Sequence, residues 1–123
     1  MNKLSLISVV DDDESVRESL PDLLREFGFA VQTFESGEQF FASASMEQSQ
    51  CLILDIAMPG MSGFDVQRGL RARNNHVPIV FITAQREKNA HRYSTEDGVV
   101  ACLLKPFSDI ALLEAIRFAM GTN

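Results

Sequence analysis

Five short apolar runs, at residues 4–10, 30–34, 51–54, 77–82 and 99–104, constrain this chain more than any other feature. Each is four to seven residues long and rich in Val, Ile, Leu or Phe, as expected of strands buried on both faces of a parallel sheet. Segments with helical spacing separate them. In the first, Val16, Leu20, Leu23, Leu24 and Phe27 share a face, and Gly28 stands where a left-handed residue closes a helix. Pro21 lacks a backbone donor and should bend that helix. Ser36 with Gln39 has capping-box spacing and starts a second helix that carries Phe40 and Phe41 inward. Ser62 with Asp65 starts a third, shorter one. Ser108 caps a last helix with Ile110, Leu112, Leu113 and Ile116 inside and Gly121 after it. Alternation of strand and helix predicts a single α/β domain over residues 1–123, with right-handed crossovers and helices on both faces of the sheet. At this length the expected solution is flavodoxin-like: a doubly wound, five-stranded parallel sheet of order 2-1-3-4-5 in three αβα layers, with its site at the carboxyl ends of the strands.

Composition narrows what such a domain can bind. The formal net charge is −6, which repels nucleic-acid phosphates and anionic lipid unless a basic patch outweighs it. Arg68, Arg71 and Arg73 come closest to one, but their spacing reads as the solvated face of a helix, so neither direct nucleic-acid binding nor membrane binding is expected. Cys51 and Cys102 each sit inside an apolar run, far apart in the chain, and read as core residues rather than a redox or metal pair. No run approaches the eighteen or so apolar residues of a membrane span, and the opening ten residues are too short for a secretory signal. A cytoplasmic location is the expectation.

The chemistry shows in the polar residues that end the runs. The first ends in Asp11-Asp12-Asp13-Glu14, the third in Asp55, the fourth in Thr83 and the fifth in Lys105-Pro106. In the expected topology these meet at one edge. Carboxylates gathered without a counter-ion repel one another, and one has its pKa raised. A hard divalent cation removes that conflict: Mg²⁺ takes oxygen ligands and commonly binds through one or two carboxylates plus a substrate phosphate, with Mn²⁺ as a substitute. Lys105 and the Thr83 hydroxyl supply further groups for phosphoryl oxygens. The plainer reading of Asp11 to Glu14 is favourable charge at a helix N-terminus. It leaves Asp55, at the end of an apolar strand, and Lys105 unexplained.

Val9-Val10-Asp11-Asp12, Leu54-Asp55-Ile56-Ala57-Met58-Pro59-Gly60-Met61-Ser62-Gly63, Ile82-Thr83-Ala84 and Leu104-Lys105-Pro106-Phe107 together resemble the signatures of response-regulator receiver domains, the CheY-like superfamily. The resemblance covers essentially the whole chain, in order. It implies a switch domain rather than a turnover enzyme, with Asp55 accepting a phosphoryl group from a sensor histidine kinase, a phosphotransfer protein or a small phosphodonor. It also implies Mg²⁺ held by Asp11, Asp12, Asp55 and the carbonyl of Ala57, and phosphoryl oxygens taken by Thr83, the Ala84 amide and Lys105. An output effector or partner protein and a phosphorylation-dependent dimer belong to the same implication. Ala57 and Gln85 occupy positions that in the family tune water access to the phosphoryl group.

The sequence departs from the family at Cys102, where receiver domains usually carry Tyr or Phe three residues before the lysine, and a thiol cannot fill that volume. The resemblance thus implies Thr83 and Cys102 as the switch positions, with no aromatic side chain at the second. His76 and His91 read as surface residues. Three other functions fit the residues less well. Asp11-x-Asp13 resembles the nucleophile motif of haloacid-dehalogenase-type phosphatases, but only Asp109 is available for the later acidic motif that chemistry needs. A flavin binder lacks a phosphate loop after the first strand, and an inactive docking module does not need all of Asp11, Asp12, Asp55, Thr83 and Lys105. Placed as a helix, residues 86–97 offer only Ala90 and Tyr93 as apolar anchors, so we expect a loosely docked helix with Tyr93 beside Cys102. Amide exchange should be faster in residues 88–97 than in the last helix; equal protection would remove this expectation.

Overall fold

The computed structural model describes residues 4–84 and 99–121. The expected helix over 86–97, with Tyr93 and His91, and the position of Gln85 lie outside the described residues. Five parallel strands, β1 (Leu6–Val10), β2 (Ala30–Phe34), β3 (Cys51–Asp55), β4 (Ile79–Thr83) and β5 (Val99–Leu104), form one sheet in the order β2-β1-β3-β4-β5. This is the order expected from the sequence. The helices are α1 (Glu14–Glu26), α2 (Gly37–Phe41), α3 (Ser45–Gln48), α4 (Gly63–Ala72) and α5 (Asp109–Ala119). None of the described helices is long and apolar enough to cross a membrane.

Period-two alternation divides the strand residues between two cores, one on each face of the sheet. Ile7, Val9, Ile53, Val80 and Ile82 meet Leu20 and Leu24 of α1 and Leu112 and Ile116 of α5. On the other face Leu52, Leu54 and Phe81 meet Phe40 of α2 and Val66 and Leu70 of α4. The central strands β3 and β4 are buried along their whole length, as their uninterrupted apolar runs require. The strand ends differ from the apolar runs because backbone pairing, not side-chain polarity, defines them. Asp55 and Thr83 are therefore inside β3 and β4, whereas Leu4, 60% exposed, is outside β1.

Local signals set most helix ends. The Ser62 hydroxyl accepts from the Asp65 amide while the Asp65 carboxylate accepts from the Ser62 amide, a complete capping box. Ser36 caps α2 through the Gln39 amide, but the Gln39 side chain reaches back one residue further, to the amide of Glu35. Gly28, at φ 91°, ends α1: its amide bonds to the Arg25 carbonyl and that of Phe29 to Leu24, the Schellman arrangement. α1 runs on through Pro21 to Glu26.

Four expected core residues need correction. Ile110 is 69% exposed, because at about 100° per residue it lies away from the arc holding Leu112, Leu113 and Ile116. Phe41 is only half-buried and carries the Arg73 guanidinium over its ring at 4.3 Å, while Phe27, at the end of α1, is 45% exposed. Cys51 is buried as expected, but Cys102 is only half-buried.

The β3–α4 connection is closed by Gly63, whose amide donates to the Ile56 carbonyl at 2.9 Å. A Cβ at Gly63 would stand 2.6 Å from the Asp55 carbonyl oxygen and 2.8 Å from the Ile56 Cα, both backbone atoms that cannot give way cheaply. Gly63→Ala should therefore lower the unfolding free energy by about 1–3 kcal/mol, the usual cost of overpacking, despite alanine's better helix propensity. Urea denaturation measures it; unchanged or increased stability would show that the connection has slack.

Candidate functional site

Strand register brings the polar strand ends together. Val10 pairs with Leu54 and Asp55 with Ile82, so Asp11, one residue beyond β1, stands beside Asp55 at the end of β3. Thr83 pairs with Leu104, which puts Lys105 just past the next strand. Backbone bonds extend the order beyond the strands: Asp11 N–H to the Phe34 carbonyl, Ile56 N–H to Ile82 and Lys105 N–H to Thr83, at 3.0, 3.0 and 2.8 Å.

Asp11 is fully buried and Asp55 nearly so. The Lys105 ammonium lies 2.8 Å from Asp11 Oδ2 and 3.9 Å from Asp55 Oδ2, a close ion pair with the first and a looser one with the second. Asp11 Oδ1 accepts from the Asp13 amide, and Asp55 Oδ1 from the Ala57 amide at 3.2 Å. Burial, together with the hydrogen bond and negative charge of Asp11, pushes the Asp55 carboxyl up to about 8, against the opposing pull of Lys105 and the Ala57 amide. Burial works to lower the Lys105 pKa, but its bond to Asp11 and the charges of Asp55 and Asp11 raise it on balance.

The exposed Asp12 completes the group. Asp11, Asp12 and Asp55 each place a carboxylate oxygen within 4.8 Å of the others, close enough to share one cation. This set of hard oxygen donors, with a protonation conflict that a divalent cation relieves, fits Mg²⁺. Thr83 is fully buried on β4, and Ala57 and Ala84 are exposed at the rim. Cys102 pairs with Phe81 on the β5 side and packs toward the core shared with α4. Burial raises its thiol pKa. Beside the carboxylates, a cleft of about 530 Å³ runs between the start of α1 and the β5–α5 turn, with Ser15, Val16, Ala84, Lys105 and Phe107 among its walls.

Asp13 does not join the group. Its carboxylate caps α1 by accepting from the Ser15 hydroxyl at 2.7 Å and the Ser15 amide at 2.9 Å, and these bonds hold its pKa below the usual carboxylate value. A general acid needs the opposite shift, so the phosphatase reading loses its second aspartate. His76 is exposed in the α4–β4 turn, bonded to Asn74 and Arg71, at the other end of the sheet. Sequence reasoning missed Arg17, which donates to the Asp11 carbonyl at 2.9 Å; its six-residue separation from Asp11 gave no recognisable signal.

A family model described as the response regulator receiver domain matches residues 7–117. The response regulator protein TodT of Pseudomonas putida is 38% identical over 119 residues, 97% of this chain and 52% of that protein. The transcriptional regulatory protein FixJ of Azorhizobium caulinodans is 33% identical over 117 residues, 95% of this chain and 56% of its own length. This chain thus spans about half the length of these curated relatives. A solved response regulator receiver protein from Burkholderia phymatum superposes with a TM-score of 0.83 at 36% identity, covering 97% of each chain.

The raised Asp55 pKa has a defined consequence for stability. Because the folded value lies above the ordinary 3.8, the contribution from Asp55 is fully present below about pH 4 and is lost as pH rises through about 8. With a chelator present, the melting temperature should fall between pH 6 and 9, and Asp55→Asn should flatten that fall. A wild-type melting temperature that stays level across this range would contradict the assignment.

Proposed function

This chain belongs to the response regulator receiver domain family, and we propose that Asp55 is its phosphoacceptor in a Mg²⁺-dependent transfer, with residues 1–123 acting as one receiver domain. The observation that carries the reading is the pairing of two buried carboxylates, Asp11 and Asp55, with one ammonium at the strand ends. Asp11, Asp12, Asp55 and the Ala57 carbonyl would hold the cation, which supplies charge neutralisation for the carboxylates and for the incoming phosphoryl oxygens. The donor is a phosphohistidine of a sensor histidine kinase or phosphotransfer protein, or a small phosphodonor.

Transfer asks little covalent chemistry of the chain. A carboxylate oxygen of Asp55 bonds to phosphorus as the P–N bond to the donor imidazole breaks, and the electron pair stays on the ring nitrogen. Asp55 has to be ionised for this, so charge opposite it is a requirement of the reaction as well as of binding. The Ala57 amide orients one Asp55 oxygen. Lys105, paired with Asp11, takes a phosphoryl oxygen in this reading, with Thr83 and the Ala84 amide taking others.

The same groups supply the switch. A phosphoryl group on Asp55 adds charge and acceptor oxygens beside Thr83, and a bond from the Thr83 hydroxyl draws the end of β4 toward it. Phe81 and Cys102, paired across β4 and β5, are the neighbours that feel this shift. Cys102 stands in place of the family's usual aromatic, so the output relies on a smaller side chain. The output is passed to an effector domain or partner protein, by way of a phosphorylation-dependent dimer; the greater length of the relatives supports an effector.

Incubation with phosphoramidate and Mg²⁺, followed by intact-mass spectrometry, tests the reading. Wild type should gain one phosphoryl group and Asp55→Asn none. Equal labelling of both, or steady release of phosphate from unrelated esters, would overturn it.

A further inference from the structure

Asp11 is held from several sides. The amide donates to the Phe34 carbonyl, Oδ1 accepts from the Asp13 amide, and Oδ2 meets Lys105. The remaining atom, the carbonyl oxygen, accepts from Arg17 at 2.9 Å. Arg17 rises from the first turns of α1 with its side chain only 20% exposed, and its other terminal nitrogen lies 3.6 Å from Glu35 beyond β2. Glu35 is itself gripped by Gln39, which donates to its carboxylate and accepts from its amide. The guanidinium is thus fixed from two elements outside β1.

A carbonyl held in direction holds a whole peptide plane, and the plane that begins at the Asp11 carbonyl ends at the Cα of Asp12. Among the described residues no hydrogen bond holds the exposed Asp12 carboxylate, so the backbone beneath it decides where it stands. We infer that Arg17 is a positioning residue for the cation site: by clamping the Asp11 carbonyl, it sets the Asp11–Asp12 peptide so that both carboxylates can converge with Asp55 on one divalent ion. This rests on the reading of that triad as a Mg²⁺ site.

Charge and geometry predict opposite signs here. Arg17 is cationic, so as a charge alone it weakens cation binding, and removing it should tighten Mg²⁺. As a clamp it strengthens binding, and loss of such outer partners typically weakens metal affinity by about 10–100-fold. The test is calorimetric titration of Mg²⁺ into the full chain, with circular dichroism showing that each variant is folded at the titration temperature. Arg17→Gln should raise the dissociation constant about tenfold, and Arg17→Lys, which keeps the charge on a single donor nitrogen but not the fork, should fall between it and wild type. An Arg17→Gln protein that binds Mg²⁺ as well as wild type, or better, overturns the inference. Should that variant fail to fold, Arg17→Lys decides: wild-type affinity overturns the clamp, and weaker binding supports it. Wild type that takes up no Mg²⁺ overturns the triad reading, and the clamp with it.

Discussion

Asp11 and Asp55 cannot both be ionised comfortably where the sheet puts them, and Lys105 is the only positive charge shown bonding to either carboxylate among the described residues. One ammonium against two buried carboxylates leaves a surplus of negative charge. That surplus makes the strand ends receptive to a divalent cation, and burial, reinforced by Asp11, keeps the Asp55 carboxyl far above its ordinary pKa. The rest of the structure holds this conflict in place. Two hydrophobic cores fix the five strands, their register sets Asp11 beside Asp55, and the bond from the Lys105 amide to Thr83 carries the fifth strand's end to the same edge.

The turns after β1 and β3 do the finer sorting. Three consecutive aspartates follow β1, yet each has a different task. Asp11 turns inward to Lys105, Asp12 remains exposed beside the site, and Asp13 is consumed in capping α1. Capping lowers the Asp13 pKa while burial raises that of Asp55, so identical side chains at the ends of two neighbouring strands are shifted in opposite directions. After β3, Gly63 lets α4 start hard against the Asp55–Ile56 backbone.

Much of the fold was legible in the chain. The five apolar runs predicted the strands, and Ser36, Ser62 and Ser108 marked helix starts at which each hydroxyl is bonded in the structure. Where the reading slipped, the cause was the three-dimensional surroundings of a side chain. Ile110 and Phe41 are apolar by type, but the arc facing the core passes Ile110 by, and Arg73 takes one face of the Phe41 ring. The short α3 has no side-chain cap and no buried residue, so it left no trace in the apolar pattern. Arg17 was invisible for a related reason: its bond is to a carbonyl oxygen, which every residue carries.

The amino-acid sequence by itself determined the alternation of strand and helix, and with it a parallel sheet whose carboxyl ends carry Asp11, Asp12, Asp55, Thr83 and Lys105. These follow from side-chain type and spacing, which are properties of the chain before it folds. Tertiary structure alone decided which aspartate is buried, which oxygen Lys105 meets and which carboxyl is driven up. Those outcomes depend on desolvation and on distances of a few ångströms between residues far apart in the chain. Such quantities come into existence only when the strands are set side by side.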